Sequence, residues 1–271
     1  MIRTLLRHEV LRTWRGVALV ALAAFLVVGT FTGFTVLLPA PVSGIFAGLT
    51  VAAVLIYLYA VPLLLSLDFY RSSYSKTGYF TAAIPAKGTT IFALKFLHAY
   101  AVTLLSTIVT VGLFLVATFA LGVAEGLTAA ESMARIGDMV DALAALPGWA
   151  IAGAVLVFLA YPVLSLAPFF FAATVGSEAW INRSGFGEVV LTWFLFYLAS
   201  QFLGLASLFI PPSLDLSAFP EVSWNAEPLA LFTAGDDAAM LPVAVIVVAI
   251  VWNVAAIWWA KVSYGRRLEL A

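Results

Sequence analysis

Six stretches of the chain run apolar for about twenty residues or more, and the segments between them are basic, acidic or proline-rich. The stretches are Val17–Leu38, Gly44–Leu67, Phe96–Val123, Trp149–Val175, Val189–Ile210 and Leu241–Ala260. At about 1.5 Å per residue each is long enough to cross a hydrocarbon core of about 30 Å. The pattern therefore predicts an all-α integral membrane protein with six transmembrane helices in a single transmembrane domain, 1–271.

Between the spans the periodicity changes. Over residues 1–16, Ile2, Leu5, Leu6 and Val10 share one helical face and Arg7, Arg12 and Arg15 lie largely off it, which predicts an amphipathic interfacial helix. Leu11 and Trp14 blur that face. A second reading, a basic flank that only sets topology, stays open. Over 124–148, Met133, Ile136, Met139, Val140 and Leu143 oppose Glu131, Arg135, Asp138 and Asp141. Thr128 with Glu131 spells a capping box, and Pro147-Gly148 closes the helix. The outer loop 211–240 carries Pro211, Pro212, Pro220 and Pro228, so short broken elements are expected there. Its apolar start, 203–214, is equally compatible with a re-entrant turn.

Composition agrees: 64% of residues are hydrophobic and 10% charged. The formal charge of −1 hides a strong polarity. If the six stretches cross in turn, every Lys and Arg except Arg135 falls on one side. That side keeps only Glu9, Asp68, Glu178, Glu188 and Glu269 of the 14 acidic residues. The basic side is the cytoplasmic one by the positive-inside bias, and both termini face it. A multi-pass protein of a bacterial plasma membrane is expected. The first span follows a basic segment as a signal peptide does, but its apolar run is too long and no small-residue cleavage site follows, so a retained anchor is expected.

Candidate chemistry is sparse. The absence of cysteine excludes disulfides, thiolate metal sites and a cysteine nucleophile. His8 and His98 are read as surface or interface residues rather than metal ligands, and no metal site is expected. No Asp, Glu, Lys or Arg lies within a span core, whereas intramembrane ionisable groups mark proton relays and ion sites. Gln201 and Asn253 are the polar exceptions, read as interhelical hydrogen-bonders or pathway residues. Pro62, Pro162 and Pro168 are expected to kink their helices, and Gly29/Gly33 and Gly44/Gly48 have the spacing that permits close helix approach. Ser73 to Lys76 matches S-x-x-K without the companion motifs, and Asn182-Arg183-Ser184 is a glycosylation sequon on the cytoplasmic side. No G-x-x-x-x-G-K-[ST] is present, so this chain has no phosphate loop of its own.

One interspan segment, Asp68–Lys95, is both basic and rich in tyrosine, with Arg71, Lys76, Lys87 and Lys95 among Phe69, Tyr70, Tyr74, Tyr79 and Phe80. It resembles the cytoplasmic coupling segment between spans two and three of type-2 ATP-binding-cassette permeases. The matching positions are Gly78, Tyr79, Thr81, Ile84 and Pro85, followed by Lys87, Ile91 and Lys95. The wider layout is similar to that family too: six spans, both ends inside, a basic N-terminal helix and a long outer segment before the last span. The long amphipathic helix over 124–148 and the acidic outer face depart from it.

The resemblance implies a permease subunit of an exporter for a hydrophobic or amphipathic substrate. Two such subunits, in a homo- or heterodimer, would each rest a short coupling helix on a separate ATPase subunit, which carries the ATP and Mg. In this chain the contact would fall on Tyr74, Lys76, Gly78, Tyr79, Phe80, Thr81, Ile84, Pro85 and Lys87. The chain itself would hold no cofactor and perform no catalysis. The lipid bilayer is its other partner, and no nucleic-acid partner is expected. Two readings compete: a non-transporting anchor or sensor subunit of a similar complex, and a membrane-embedded enzyme, for which Glu178, Glu188 and Arg183 make too thin a constellation.

Overall fold

The computed structural model describes residues 2–75, 86–178, 186–227 and 239–266. Among them are seven helices: α1 (Ile2–Leu37), α2 (Val42–Tyr74), α3 (Gly88–Ala124), α4 (Ala129–Ala144), α5 (Gly148–Val175), α6 (Phe186–Ser207) and α7 (Val243–Arg266). All but α4 are long and apolar enough to cross a membrane. Their outward faces carry large side chains such as Leu19, Ile56, Phe202 and Trp258, each at least 68% exposed within the chain. Such surface on six helices of spanning length belongs in a bilayer, so the chain is a multi-pass helical membrane protein.

The chain divides into two compact units, Met1–Leu65 with Ala101–Ala144, and Ser66–Tyr100 with Ala145–Ala271. In the first, α1 and the early part of α2 pack as an antiparallel hairpin. Phe31 and Phe34 meet Phe46 near the turn, with ring centroids 5.9 and 5.0 Å apart. Further along, a Cβ on Gly16 would sit 3.3 Å from Leu64 Cδ1, so the two helices touch closely there.

The separate interfacial helix expected over 1–16 is not a separate element, because Ile2–Leu37 is one helix of 36 residues. Gly16, at the end of the expected interfacial helix, costs about 1 kcal/mol relative to alanine. That is too little to break a helix whose flanks are good formers, and Thr13 Oγ1 donates back to the Glu9 carbonyl at 3.0 Å across the preceding turn.

The amphipathic helix expected over 124–148 is present as α4, with the capping box formed. Glu131 N–H donates to Thr128 Oγ1 at 3.2 Å, and both the Thr128 backbone N–H and its hydroxyl donate to Glu131 Oε2, at 2.7 and 2.8 Å. Gly126, at φ 92°, supplies the left-handed residue that reverses the chain after α3. α4 then folds back so tightly that a Cβ on Gly122 would lie 2.7 Å from the buried Ser132 Oγ. Arg135, the lone basic residue of this segment, bonds Glu125 at 2.5 Å.

In the second unit α5, α6 and α7 pack on one another, and Pro162 and Pro168 sit inside an unbroken α5. The stretch after α6 holds short strands among its described residues. It forms a three-stranded antiparallel sheet, β1 (Ser213–Asp215), β2 (Ser223–Asn225) and β3 (Met240–Pro242), in the order β2-β1-β3. Leu214 pairs with both Trp224 and Leu241. Trp224 stacks on Trp149 at 5.2 Å, which ties the sheet to the start of α5. Three residues per strand are too few to show an alternating pattern, so the sequence carried no strand signal.

Among the described residues the glycine pairs flagged for helix contact have no close neighbour. An added Cβ at Gly29, Gly33, Gly44 or Gly48 meets nothing within 4 Å. GxxxG spacing places two glycines on one face, but it does not say what covers that face.

The hydrogen bonds from Thr128 hold the Glu131 carboxyl below its ordinary pKa. A depressed carboxylate stabilises the fold above its unfolded pKa, and the effect is lost as pH falls through the lower folded value. Amide exchange of α4 should therefore accelerate selectively on acidification through the lower part of the carboxylate range. Thr128→Ala should loosen the same helix at neutral pH by about 1 kcal/mol. Equal exchange across α4 in wild type and T128A would contradict the cap's role.

Candidate functional site

The basic segment is entered by α2 and left by α3, both of which extend beyond the spans predicted for them. α2 continues through Asp68–Tyr74, and α3 begins at Gly88 rather than Phe96. A helix satisfies its own backbone, so it need not end at the membrane boundary when no breaker is present. Both extensions are anchored in one buried cluster.

Phe69 of α2 is the centre of that cluster. Its ring stacks on Phe170 of α5 with centroids 4.1 Å apart and 14° between planes, and it meets Phe92 of α3 edge-on at 5.8 Å. Tyr264 of α7 closes the group, 5.7 Å from Phe92 and 5.9 Å from Tyr74. Phe69, Phe92, Phe170 and Tyr264 are each at most 3% exposed. Offset and edge-on aromatic pairs add roughly 0.5–1.5 kcal/mol each beyond area burial, so the rings hold these four helix ends together.

Polar groups lie buried at the edge of the rings. Lys95 Nζ donates to Ser72 Oγ at 2.5 Å, joining α3 to α2, and Ser72 Oγ in turn donates to the Phe69 carbonyl at 3.2 Å. Ser263 Oγ donates to Glu178 Oε1 at 2.5 Å, joining α7 to the turn after α5. His98, one turn beyond Lys95, is also buried. Burying a charge is costly unless it is hydrogen-bonded, and these bonds meet that requirement in part within helix ends brought together by the rings.

Backbone contact completes the anchor. A Cβ on Gly88 would lie 3.1 Å from the Tyr264 carbonyl oxygen, and one on Gly265 would lie 2.6 Å from Thr89 Cγ2. The first turn of α3 therefore rests directly on the last turns of α7. At the other side, Gly176 lets the end of α5 meet Val189 at the start of α6, where a Cβ would be 2.8 Å from the Val189 Cα.

Among the expected contact residues, Lys76, Gly78, Tyr79, Phe80, Thr81, Ile84 and Pro85 lie outside the described residues, as does the expected coupling helix. Tyr74 is half-buried, with its ring turned into the cluster against Phe69 and Tyr264. Lys87 is exposed, and its carbonyl accepts the Thr90 and Ile91 N–H groups at the start of α3. Lys95, paired with Lys87 in the sequence pattern, is 5% exposed and points the other way, into the fold.

Several polar readings need correction. His98 is a buried residue, not a surface one. Glu178, read as one of several scattered loop carboxylates, is 2% exposed and held by α7. Its partner Ser263 is 85 residues distant, so nothing local signalled the burial. Asn253 donates from Nδ2 to the Ala249 carbonyl of its own helix at 2.8 Å, and its Oδ1 has no partner among the described residues. Gln201 is exposed. The hydrogen bond between α6 and α7 is made instead by their neighbours, Trp252 Nε1 donating to Ser200 Oγ at 3.0 Å. Among the described residues no three His, Asp or Glu side chains group as metal ligands.

The chain matches no protein-family model, no curated protein and no solved structure.

Ser72→Ala removes a hydroxyl bonded to a buried ammonium, which should lower stability by about 1.5–3 kcal/mol, read as thermal unfolding in detergent. Gly88→Val and Gly265→Val should each separate α3 from α7 and lower the midpoint further. Gly33→Val, at an open site of the first unit, serves as the control and should change little. A midpoint for G265V equal to that of G33V would rule out the close α3–α7 contact.

Proposed function

We propose that this chain is the membrane-spanning permease subunit of an ATP-binding-cassette exporter, driven by ATP hydrolysed on a separate subunit. The observation that carries the reading is the anchoring of the two helix ends that flank residues 76–85. The helix that enters this segment and the helix that leaves it are held in one aromatic cluster with α5 and α7. A connector that receives mechanical work must be rigid at its ends, or the displacement is absorbed locally. Here Phe69, Phe92, Phe170 and Tyr264 join all four helix ends, so a push on the segment would be passed to four spans together.

Two further features support this. Lys87 is exposed beside the segment, available for charge complementarity with a partner. The chain lacks a phosphate loop, so in this reading the ATP is hydrolysed on another polypeptide. In this reading the basic side faces the cytoplasm with both termini, Gly78–Pro85 forms the contact, and a second permease subunit completes the pathway. The cargo is hydrophobic or amphipathic, in keeping with the apolar spans.

Co-expression with a candidate ATP-binding-cassette ATPase, followed by purification through a tag on this chain, tests the proposal. The ATPase should co-purify, and its hydrolysis should respond to cargo. Tyr79→Asp with Ile84→Asp should abolish co-purification while thermal unfolding of this chain stays unchanged. Retention of the ATPase and of transport by that variant would overturn the assignment.

A further inference from the structure

The first unit holds a feature that the transport reading does not use. On α1 the face turned away from α2 carries Arg3, Arg7, Leu11, Trp14 and Arg15, all exposed. At 100° per residue the same face continues through Ala18, Leu22 and Phe25 to Gly29. It changes character once, from basic and aromatic to wholly apolar, at Arg15. Residues 17–37 rise about 31 Å, the thickness of a hydrocarbon core, so the change falls at the level where headgroups meet acyl chains. Tryptophan and arginine are the residues that occupy this level in membrane proteins.

The apolar half of this face ends in a groove. Phe25, Val28 and Gly29 of α1 face Val109, Gly112, Leu113 and Val116 of α3 around a space of about 310 Å³ with an almost wholly apolar lining. Gly29 and Gly112 leave it open, since a Cβ at either would touch nothing within 4 Å. The volume is at the low end of the roughly 300–1,000 Å³ of small-molecule sites. From Arg15 to Phe25 the helix rises about 15 Å, the depth of one leaflet of hydrocarbon.

The arginines are available. Arg12 is engaged with Glu9, and Arg15 lies over the Trp14 ring at 5.7 Å, which leaves its outward edge free to donate. Arg3 and Arg7 have no hydrogen bond or ion pair among the described residues. Guanidinium groups match phosphate oxygens bidentately.

We infer that this face is a binding site for one anionic phospholipid, its headgroup phosphate on Arg7 and Arg15 beside Trp14 and one acyl chain lying along Leu22 into the groove at Gly29 and Gly112. A protein partner would account for the arginines alone. It would not account for the charge giving way to an apolar groove one leaflet deep on the same helical face. The inference needs only the membrane placement of α1, not the ATPase partner.

The test is thermal stabilisation of the full chain in neutral detergent, titrated with phosphatidylglycerol, phosphatidylcholine or inorganic phosphate. Phosphatidylglycerol should stabilise at lower concentration than phosphatidylcholine, and inorganic phosphate should not stabilise at all. A basic residue near an anionic headgroup contributes roughly five-fold in affinity. Arg7→Gln with Arg15→Gln should therefore raise the phosphatidylglycerol midpoint roughly 30-fold and shift phosphatidylcholine much less. Gly29→Leu with Gly112→Leu, which fills open space, should weaken both lipids. Equal response to the two lipids, stabilisation by inorganic phosphate alone, or a glutamine variant that keeps its preference would each overturn the headgroup site. An unchanged lipid response in the leucine variant would overturn the acyl-chain groove.

Discussion

A peptide group that loses water inside a hydrocarbon layer has to find its hydrogen-bond partner within its own segment, and most of this structure follows from that requirement. It forces the six apolar stretches into helices irrespective of their residue preferences. It is why Pro162 and Pro168 sit within a continuous α5 instead of ending it. It also leaves side chains, not backbone, to decide how the helices meet. Lipid tails are as apolar as leucine, so burial of apolar surface gives little preference for one helix contact over another.

The preference comes from three other sources in this chain. Close approach is one: Gly16 against Leu64, Gly122 against Ser132, and the Gly88–Gly265 contact bring helices together where a methyl group would hold them apart. Ring geometry is another, concentrated around Phe69. The third is polar pairing away from water, as between Lys95 and Ser72, Glu178 and Ser263, and Trp252 and Ser200. In the second unit all three converge on the helix ends that flank residues 76–85. A stiff anchor at that place is a reason to regard the basic segment as a point where force enters, which is the basis of the proposed coupling to an ATPase.

The first unit expresses the same physics differently. α1 is longer than the membrane is thick, and continuity of the helix places its arginines and its lipid-facing residues on one straight face. Had Gly16 broken the helix, the basic segment would have been free to lie elsewhere. The continuous helix is what makes a headgroup and an acyl chain belong to a single proposed site.

The sequence by itself determined the membrane class, the six spans and the amphipathic α4 with its Thr128–Glu131 cap, because these depend on local hydropathy and on residues within four positions of each other. The strong basic character of Asp68–Lys95 was equally legible. Only the tertiary structure decided that Lys95, His98 and Glu178 are buried and that Ser200, rather than Gln201 or Asn253, bridges two helices. It also decided that the open glycines Gly29 and Gly112 border a groove. Burial and pairing of this kind depend on residues 23 to 85 positions away, and hydropathy along the chain carries no information about which faces are brought together.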